Sequence, residues 1–168
     1  VGVAATVGRS DLSVFRLPKT VVISTGDELV EIDETPLPHQ IRKSNVFSIQ
    51  AVLRRHGLSS DRLHLLDQKE DVRNQLKKAL EEYDLLLMSG GVSKGKFDYV
   101  PEILEELRVE KLFHRVQQRP GKPFWFGKSR AGKLVLPFRV IPFLPLCVRI
   151  VIFCPGYGII SLSRLSRK

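Results

Sequence analysis

The segment of this sequence with the clearest chemical potential is the glycine-rich run SGGVSKGKFD at residues 89–98. Paired glycines after an apolar stretch let the backbone approach a ligand and direct N–H groups at an anion. Ser89 and Ser93 add hydroxyl donors, two lysines add positive charge, and Asp98 could either cap a following helix or bind a divalent cation. The run therefore predicts a phosphate-binding loop, and a tight strand-to-helix turn with solvated lysines is an equally good interpretation.

A second polar group, TGDE at residues 25–28, follows the apolar run KTVVIS. The adjacent carboxylates Asp27 and Glu28 could ligate Mg²⁺ or accept hydrogen bonds from a ligand, although capping and turn formation are commoner roles for such residues. Asp67 follows another apolar run, and it too could be a helix cap or a metal ligand. Together the three acids and the glycine-rich run predict a site for a phosphorylated ligand with a divalent cation.

A third group is the rigid turn PGKP at residues 120–123, which carries Lys122 and follows Arg119. It can be interpreted as a hairpin connection or as a pair of cations facing an oxyanion. The four histidines and two cysteines show no metal-ligand spacing, and we expect the histidines to be structural or on the surface. Trp125 is expected to pack in the core.

Apolar patterning predicts an α/β scaffold for these groups. Strands and helices alternate, with strands over residues 19–24, 63–66 and 84–88 and helices over 46–56, 70–82 and 98–107. A strand over 113–117 and a hairpin of 124–126 with 133–135 complete the set. Alternation favours a mostly parallel sheet with helices on both faces, a three-layer α/β/α sandwich. Right-handed crossovers then bring the loops that follow the strands to one edge of the sheet.

Local signals also predict how these elements begin and end. Ser44 or Asn45 is expected to cap the first helix and Gly57 to end it, while Asp67 and Asp98 are candidate caps for the next two. Residues 34–43 contain two prolines and are expected to form a loop.

The charge distribution bears on possible partners. The chain of 168 residues has a formal net charge of +9, but five basic residues and no acidic ones fall after Leu136. Removing those five from the 27 basic residues leaves 22 against 18 acidic residues, a balance of +4. This argues against a nucleic-acid partner and suits a small anionic ligand. A membrane-spanning helix needs about 20 apolar residues, and the chain has no stretch of that length without charged residues. We therefore expect no membrane-spanning helix and a cytoplasmic location.

Taken in order, four motifs resemble the MoeA family of molybdopterin molybdotransferases and its relatives, the gephyrin E domain and the plant Cnx E domain. They are STGDEL at 24–29, IRKSN at 41–45, SGGVS through DYV at 89–100, and PGKP at 120–123. The resemblance covers about residues 17–135. It implies the α/β fold shared with the MogA and MoaB adenylyltransferases, whose usual Gly-Gly-Thr-Gly loop is replaced here by GGVSKG, and thus favours the MoeA branch.

The resemblance also implies an activity and a set of site residues. The reaction would insert molybdate into adenylylated molybdopterin and release AMP, with Mg²⁺ as cofactor. Catalytic roles would fall to Asp98, Asp27 and Lys122, and metal ligation to Asp27, Glu28, Asp67 and Asp98. Molybdate or phosphate contacts would come from Lys122, Ser89 and Arg119. Substrate binding would involve Thr25, Gly26, Ser44, Asn45, Ser89, Gly90, Gly91, Val92, Ser93, Gly95, Arg119, Pro120 and Gly121.

The domain organisation predicted from the resemblance has three parts. Residues 1–18 would be the end of a preceding domain or a linker, and 19–135 the molybdopterin-binding domain. The family next has a Pro-Gly-Asn-Pro-Val-Ser loop, where this chain reads LPFRVIPF. Neighbouring codons from Phe138 onward, read out of frame, permit that loop sequence, so residues 136–168 are predicted to be an out-of-frame tail. Sequencing the encoding DNA tests this, since stop codons in the shifted frame would refute it.

Other functions are open at this point. The chain could be a MogA-type adenylyltransferase, or a non-catalytic molybdopterin-binding or scaffold domain of the kind the gephyrin relatives also provide. The complete family protein would be a homodimer with additional domains, and an adenylyltransferase could be its partner. Release of AMP rather than pyrophosphate would distinguish the first two activities.

Overall fold

The computed structural model describes residues 2–13, 16–90, 99–114, 125–138, 152–153 and 159–160. Its elements are, in order, α1 (Gly2–Thr6), β1 (Thr20–Thr25), β2 (Leu29–Val30), β3 (Ile41–Arg42), α2 (Ser44–Arg55), β4 (Ser60–Leu65), α3 (Lys69–Glu82), β5 (Leu85–Ser89), α4 (Val100–Glu106), β6 (Val109–His114), β7 (Trp125–Ser129), β8 (Leu134–Phe138), β9 (Ile152–Phe153) and β10 (Ile159–Ile160).

The main sheet has six strands in the order β4-β1-β5-β8-β7-β6. Its first four strands are mutually parallel, whereas β8, β7 and β6 are joined by antiparallel pairing. Two small sheets accompany it, the parallel pair β2-β3 and the antiparallel pair β9-β10. The predicted class, a three-layer α/β domain with a mainly parallel sheet, is confirmed.

The sheet is buried on both faces because its central strands are apolar at successive positions. In β1, Val21 and Ile23 pack in the cluster under α3 and α4, and Val22 packs under α2. Strand β5 alternates in the same way. The face of α2 that packs on the sheet consists of Val46, Ile49 and Leu53, as their spacing in the sequence predicted. Trp125 is also buried, in the cluster under α3 and α4, which confirms its predicted packing role.

The helix ends differ from the predictions in their caps. Helix α2 already begins at Ser44, and Lys43 is its N-cap residue; within the described part of the chain no side chain caps it. Its end is as predicted, with Gly57 at φ +76° donating its N–H to Arg54. The prediction that Asp67 caps α3 is wrong, because Gln68 is the N-cap residue. The backbone of Asp67 is instead held by the carboxylate of Asp27.

Strand boundaries differ where a strand lies at the edge of the sheet. Strand β4 begins at Ser60 rather than 63, because an edge strand can carry the exposed polar residues Asp61 and Arg62. Strand β6 begins at Val109, directly after Arg108 turns the chain with a positive φ. Part of the loop predicted over 34–43 forms β3.

Two further predictions concern α4 and β8. Helix α4 has Pro101 in its first turn as predicted, while its candidate cap Asp98 lies outside the described residues. Strand β8 continues to Phe138, three residues past the predicted end of the domain at residue 135. Its Leu136 is buried. The domain boundaries therefore stay predictions.

Among the described residues, no helix is long and apolar enough to cross a membrane.

Candidate functional site

Three polar loops meet at one edge of the main sheet because β1, β4 and β5 are neighbouring parallel strands. Residues 26–28 follow β1, whose last residue is Thr25; Asp67 follows β4, and Gly90 follows β5. The register places Ser24 of β1 opposite both His64 of β4 and Ser89 of β5. The carboxyl ends of the strands in an open parallel sheet are where such folds bind ligands.

Gly90 brings the glycine-rich run against the first loop. It adopts φ +113°, and a Cβ at this position would lie 2.5 Å from Oγ1 of Thr25. Both the backbone conformation and the contact require glycine here. The Gly90 backbone thus passes directly over the Thr25 side chain.

The acidic residues are linked across the first two loops. Asp27 accepts a hydrogen bond at 2.9 Å from the backbone N–H of Asp67, and Gly26 donates its N–H to Leu65 at 3.2 Å. Burial raises the pKa of Asp67, and the negative charges of Asp27 and Glu28 raise it further. The negative charges of Asp27 and Glu28 therefore act on the Asp67 carboxylate across the two loops.

Helix α2 is tied to the same edge by β2 and β3. Ile41 donates its N–H to the carbonyl of Glu28 at 2.8 Å, and Lys43 donates to Val30 at 3.0 Å. These bonds hold the start of α2, where Ser44 and Asn45 lie, to the strand that follows the first loop.

The structure brings together the predicted site residues of four segments. These are Thr25, Gly26, Asp27, Glu28, Asp67, Ser89 and Gly90 around the sheet edge, with Ser44 and Asn45 at the start of α2. The other predicted residues lie outside the described part of the chain: Gly91, Val92, Ser93, Gly95, Asp98, Arg119, Pro120, Gly121 and Lys122. In the described ranges, no group of three or more His, Cys, Asp or Glu residues could hold a metal ion.

A polar groove beside β4, here called the β4 groove, was not predicted from the sequence. It has a volume of about 470 Å³, and its lining includes Ser24, Glu31, Lys43, Arg62 and His64. Ser24 Oγ and His64 Nδ1 form a hydrogen bond of 2.9 Å. Burial lowers the pKa of His64, and the positive charge of Lys43 lowers it further.

A signal for the β4 groove was present in the sequence. In a strand, residues two apart share a face, so Arg62 and His64 had to lie on one side of β4. Their pairing with Ser24 depended on the register between β1 and β4, which local patterning does not specify.

The fold and this edge define a class of protein: a three-layer α/β domain with polar loops gathered at the carboxyl ends of its parallel strands. A family described as "Probable molybdopterin binding domain" matches residues 21–157. This chain belongs to that family.

Individual relatives agree with this assignment. The chain is 44% identical over 135 residues to the molybdopterin molybdenumtransferase of Synechocystis sp., covering 80% of this chain and 35% of that relative. The structure of a molybdopterin biosynthesis MoeA protein from Pyrococcus horikoshii superposes with a TM-score of 0.64 at 31% identity, covering 81% of this chain and 33% of that one.

A further structure shares the fold alone. The molybdopterin biosynthesis enzyme MoaB from Thermus thermophilus superposes with a TM-score of 0.56 at 17% identity, over 75% of this chain and 83% of that chain. By contrast, this chain spans only about a third of the length of the Synechocystis relative. The matching region is one domain of a longer relative.

Proposed function

We propose that this chain provides the molybdopterin-binding domain of a molybdotransferase of molybdenum cofactor biosynthesis. In the proposed reaction, molybdate is inserted into adenylylated molybdopterin and AMP is released. The observation that carries the proposal is the contact between Gly90 and Thr25. It joins two of the four motifs of the family resemblance, those at 24–29 and 89–100, at the edge of the sheet. The relatives named as molybdopterin molybdenumtransferases support it.

The described residues suit a ligand with a phosphoanhydride. Ser89 is buried at the end of β5, and Gly90 after it exposes backbone to an approaching ligand. In the proposal the run 89–98 binds the phosphate groups, while Lys122 and Arg119 contact molybdate or phosphate. Holding these charged groups in fixed positions favours the charge distribution of the transition state.

The proposal includes Mg²⁺, for which the chemistry of the donor set is suitable. The carboxylates of Asp27, Glu28 and Asp67 are oxygen ligands of the kind Mg²⁺ prefers, and the negative charges of Asp27 and Glu28 contribute, after burial, to the raised pKa of Asp67. The proposal also assigns Asp98 as a ligand, which is what the family resemblance implies for this position. The ion would neutralise charge on the phosphoanhydride.

The second candidate is a molybdopterin adenylyltransferase, favoured by the fold shared with the MoaB structure. An adenylyltransferase consumes ATP and releases pyrophosphate, whereas the proposed molybdotransferase releases AMP. A domain that binds molybdopterin without turnover would release neither. A cytoplasmic location, a homodimer and an adenylyltransferase partner for the complete protein are parts of the same proposal.

The test is molybdate-dependent formation of the cofactor by the full-length protein; where sequencing of the encoding DNA confirms the predicted out-of-frame tail, the restored reading frame is used. We expect release of AMP, and we expect Asp98→Asn to abolish it. Asp33→Asn, which removes a carboxylate from an exposed position near β2, is the matched control and should retain activity. Full activity of Asp98→Asn would refute the site assignment, and release of pyrophosphate would refute the proposed reaction.

A further inference from the structure

The β4 groove lies on the α2 side of the sheet, next to the acidic loops but built from different residues. Its cations and hydrogen-bond donors are Lys43, Arg62, His64 and Ser24, and its nearest acid is Glu31. None of the roles proposed above uses these five residues. Their arrangement therefore calls for a separate explanation.

Lys43 is the fixed charge of the β4 groove. Its side chain is only 10% exposed, and Nζ donates to Oε1 of Glu31 at 2.6 Å. An ammonium group has three protons, so the bond to Glu31 leaves others for a ligand. Because the side chain is already held in place, little conformational entropy would be lost when a ligand binds.

On the α2 side of the groove, the two cations Lys43 and Arg62 stand against one carboxylate of the lining, Glu31. At the His64 ring, the charge of Lys43 lowers the pKa, whereas the charges of Glu31 and Asp27 raise it. The other acid of the lining, Asp61, accepts a hydrogen bond at 2.9 Å from Tyr83, which packs with the cluster on the opposite face of the sheet. The α2 side of the groove thus has more positive than negative charge.

Arg62 adds a second oriented cation. Its guanidinium lies 4.5 Å from the centre of the Phe47 ring, a contact that leaves its N–H groups, in the plane of the guanidinium, free of the ring face. Lys43 is also the N-cap residue of α2, whose positive dipole end adds to the field. Directed N–H donors from several sides are what a tetrahedral oxyanion needs.

We propose that the β4 groove binds a tetrahedral oxyanion, either the phosphate ester of a small molecule or molybdate. Lys43, Arg62 and the pair of Ser24 and His64 would donate to its oxygen atoms. The volume of about 470 Å³ is also sufficient for a larger molecule that carries the oxyanion. The proposal stands on the contacts of the groove and does not depend on the proposed reaction.

The first experiment measures binding without turnover. The complete chain of 168 residues is titrated with inorganic phosphate and, separately, with molybdate, at constant ionic strength, while the ring signals of His64 are followed by NMR. We expect a saturable shift of these signals, and the anion that produces it identifies the source. A linear response to both anions, or the same response to chloride, overturns the proposal.

Three variants make the test specific to the groove. Arg62→Gln removes a donor and should weaken binding roughly tenfold, the size expected for a charge-assisted hydrogen bond. Glu31→Gln removes the competing carboxylate and should strengthen binding. Arg55→Gln, at an exposed position near the end of α2, is the matched control and should change nothing.

The opposite directions expected for the affinities of Arg62→Gln and Glu31→Gln exclude structural damage as the cause. Structural damage would weaken binding in both groove variants, whereas the proposal requires Arg62→Gln and Glu31→Gln to differ in direction. Equal affinities for all three variants, or weakening by Glu31→Gln, would overturn it. Because the measurement needs no activity, its failure would leave the proposed reaction untouched.

Discussion

At the scale of single residues, the site depends on close approaches that few side chains allow. Gly90 is the clearest case, since its backbone passes over Thr25 at a distance that excludes a Cβ. Asp27 is another, because one oxygen of its carboxylate already holds the backbone of Asp67. The positions of Gly90 and Asp27 are therefore set by contacts between the loops.

Gly90→Ala is expected to destabilise the protein and to weaken ligand binding. The new Cβ meets both a positive φ and the Thr25 side chain, and strain of this kind costs about 1–3 kcal/mol. Chemical denaturation measures the loss in the free energy of unfolding. Gly57→Ala is the matched control, because Gly57 also has a positive φ but no atom near its Cβ position. Equal losses for the two variants would show that the contact with Thr25 contributes nothing.

At the scale of elements, the edge opposite the site holds the strands in register. Asp84, just before β5, accepts hydrogen bonds from the N–H of Lys19 at 3.0 Å and from Nζ of Lys133 at 2.9 Å. These residues precede β1 and β8, so one carboxylate joins the starts of three parallel strands. On the helix layer, Lys69 of α3 and Glu102 of α4 pair at 2.7 Å. That ion pair links α3 to α4, and the start of α4 follows the glycine-rich run.

Asp84→Asn should lower the free energy of unfolding at neutral pH by about 1–3 kcal/mol, the range for a hydrogen bond to a charged group. The hydrogen bond from Lys133 holds the pKa of Asp84 below its ordinary value. The stabilisation is therefore complete above the pKa of the unfolded state, near 4, and is lost as the pH falls through the lower folded value. Denaturation curves at several pH values should show the wild type approaching the variant in acid.

The control for Asp84 is Glu82→Gln. Glu82 pairs with Lys19 at 2.7 Å, but both side chains are about half exposed, so its removal should cost less than about 1 kcal/mol. A constant difference between the wild type and Asp84→Asn down to the most acid pH would contradict the role assigned to this carboxylate.

At the scale of the whole molecule, the chain spans about a third of the length of the Synechocystis relative it matches. Within the described residues, strand β8 of this chain completes the middle of the main sheet. Strand β8 lies between β5 and β7 and contributes Leu134, Val135 and Leu136 to the two sides of the sheet.

Truncation should show where this core ends. A chain ending after Phe138 is expected to be more stable than one ending after Val135, because the shorter chain loses buried Leu136 and three of the five residue pairs between β8 and β5. Burial of one leucine side chain is worth about 1.5–3 kcal/mol. Thermal unfolding of the two truncated chains measures the difference. Equal stability would mean that the core is complete at Val135.

Local sequence determined the kinds of elements, their order and the faces they bury. The periodicity of α2, the positive-φ glycine after it, and the apolar runs of β1 and β5 depend only on neighbouring residues. The same holds for the polar loop that follows each strand. These features were predictable because propensity and amphipathic spacing act over a few residues.

Tertiary structure decided what lies opposite what. Asp67 does not cap α3 because the carboxylate of Asp27, forty residues earlier, holds its backbone. His64 became part of a groove because the register of β4 against β1 places it beside Ser24. Such pairings depend on the alignment of distant strands, which no local pattern encodes. The sequence alone thus determined the domain and its polar edge, and the packing of parallel strands decided how that edge and the β4 groove are assembled.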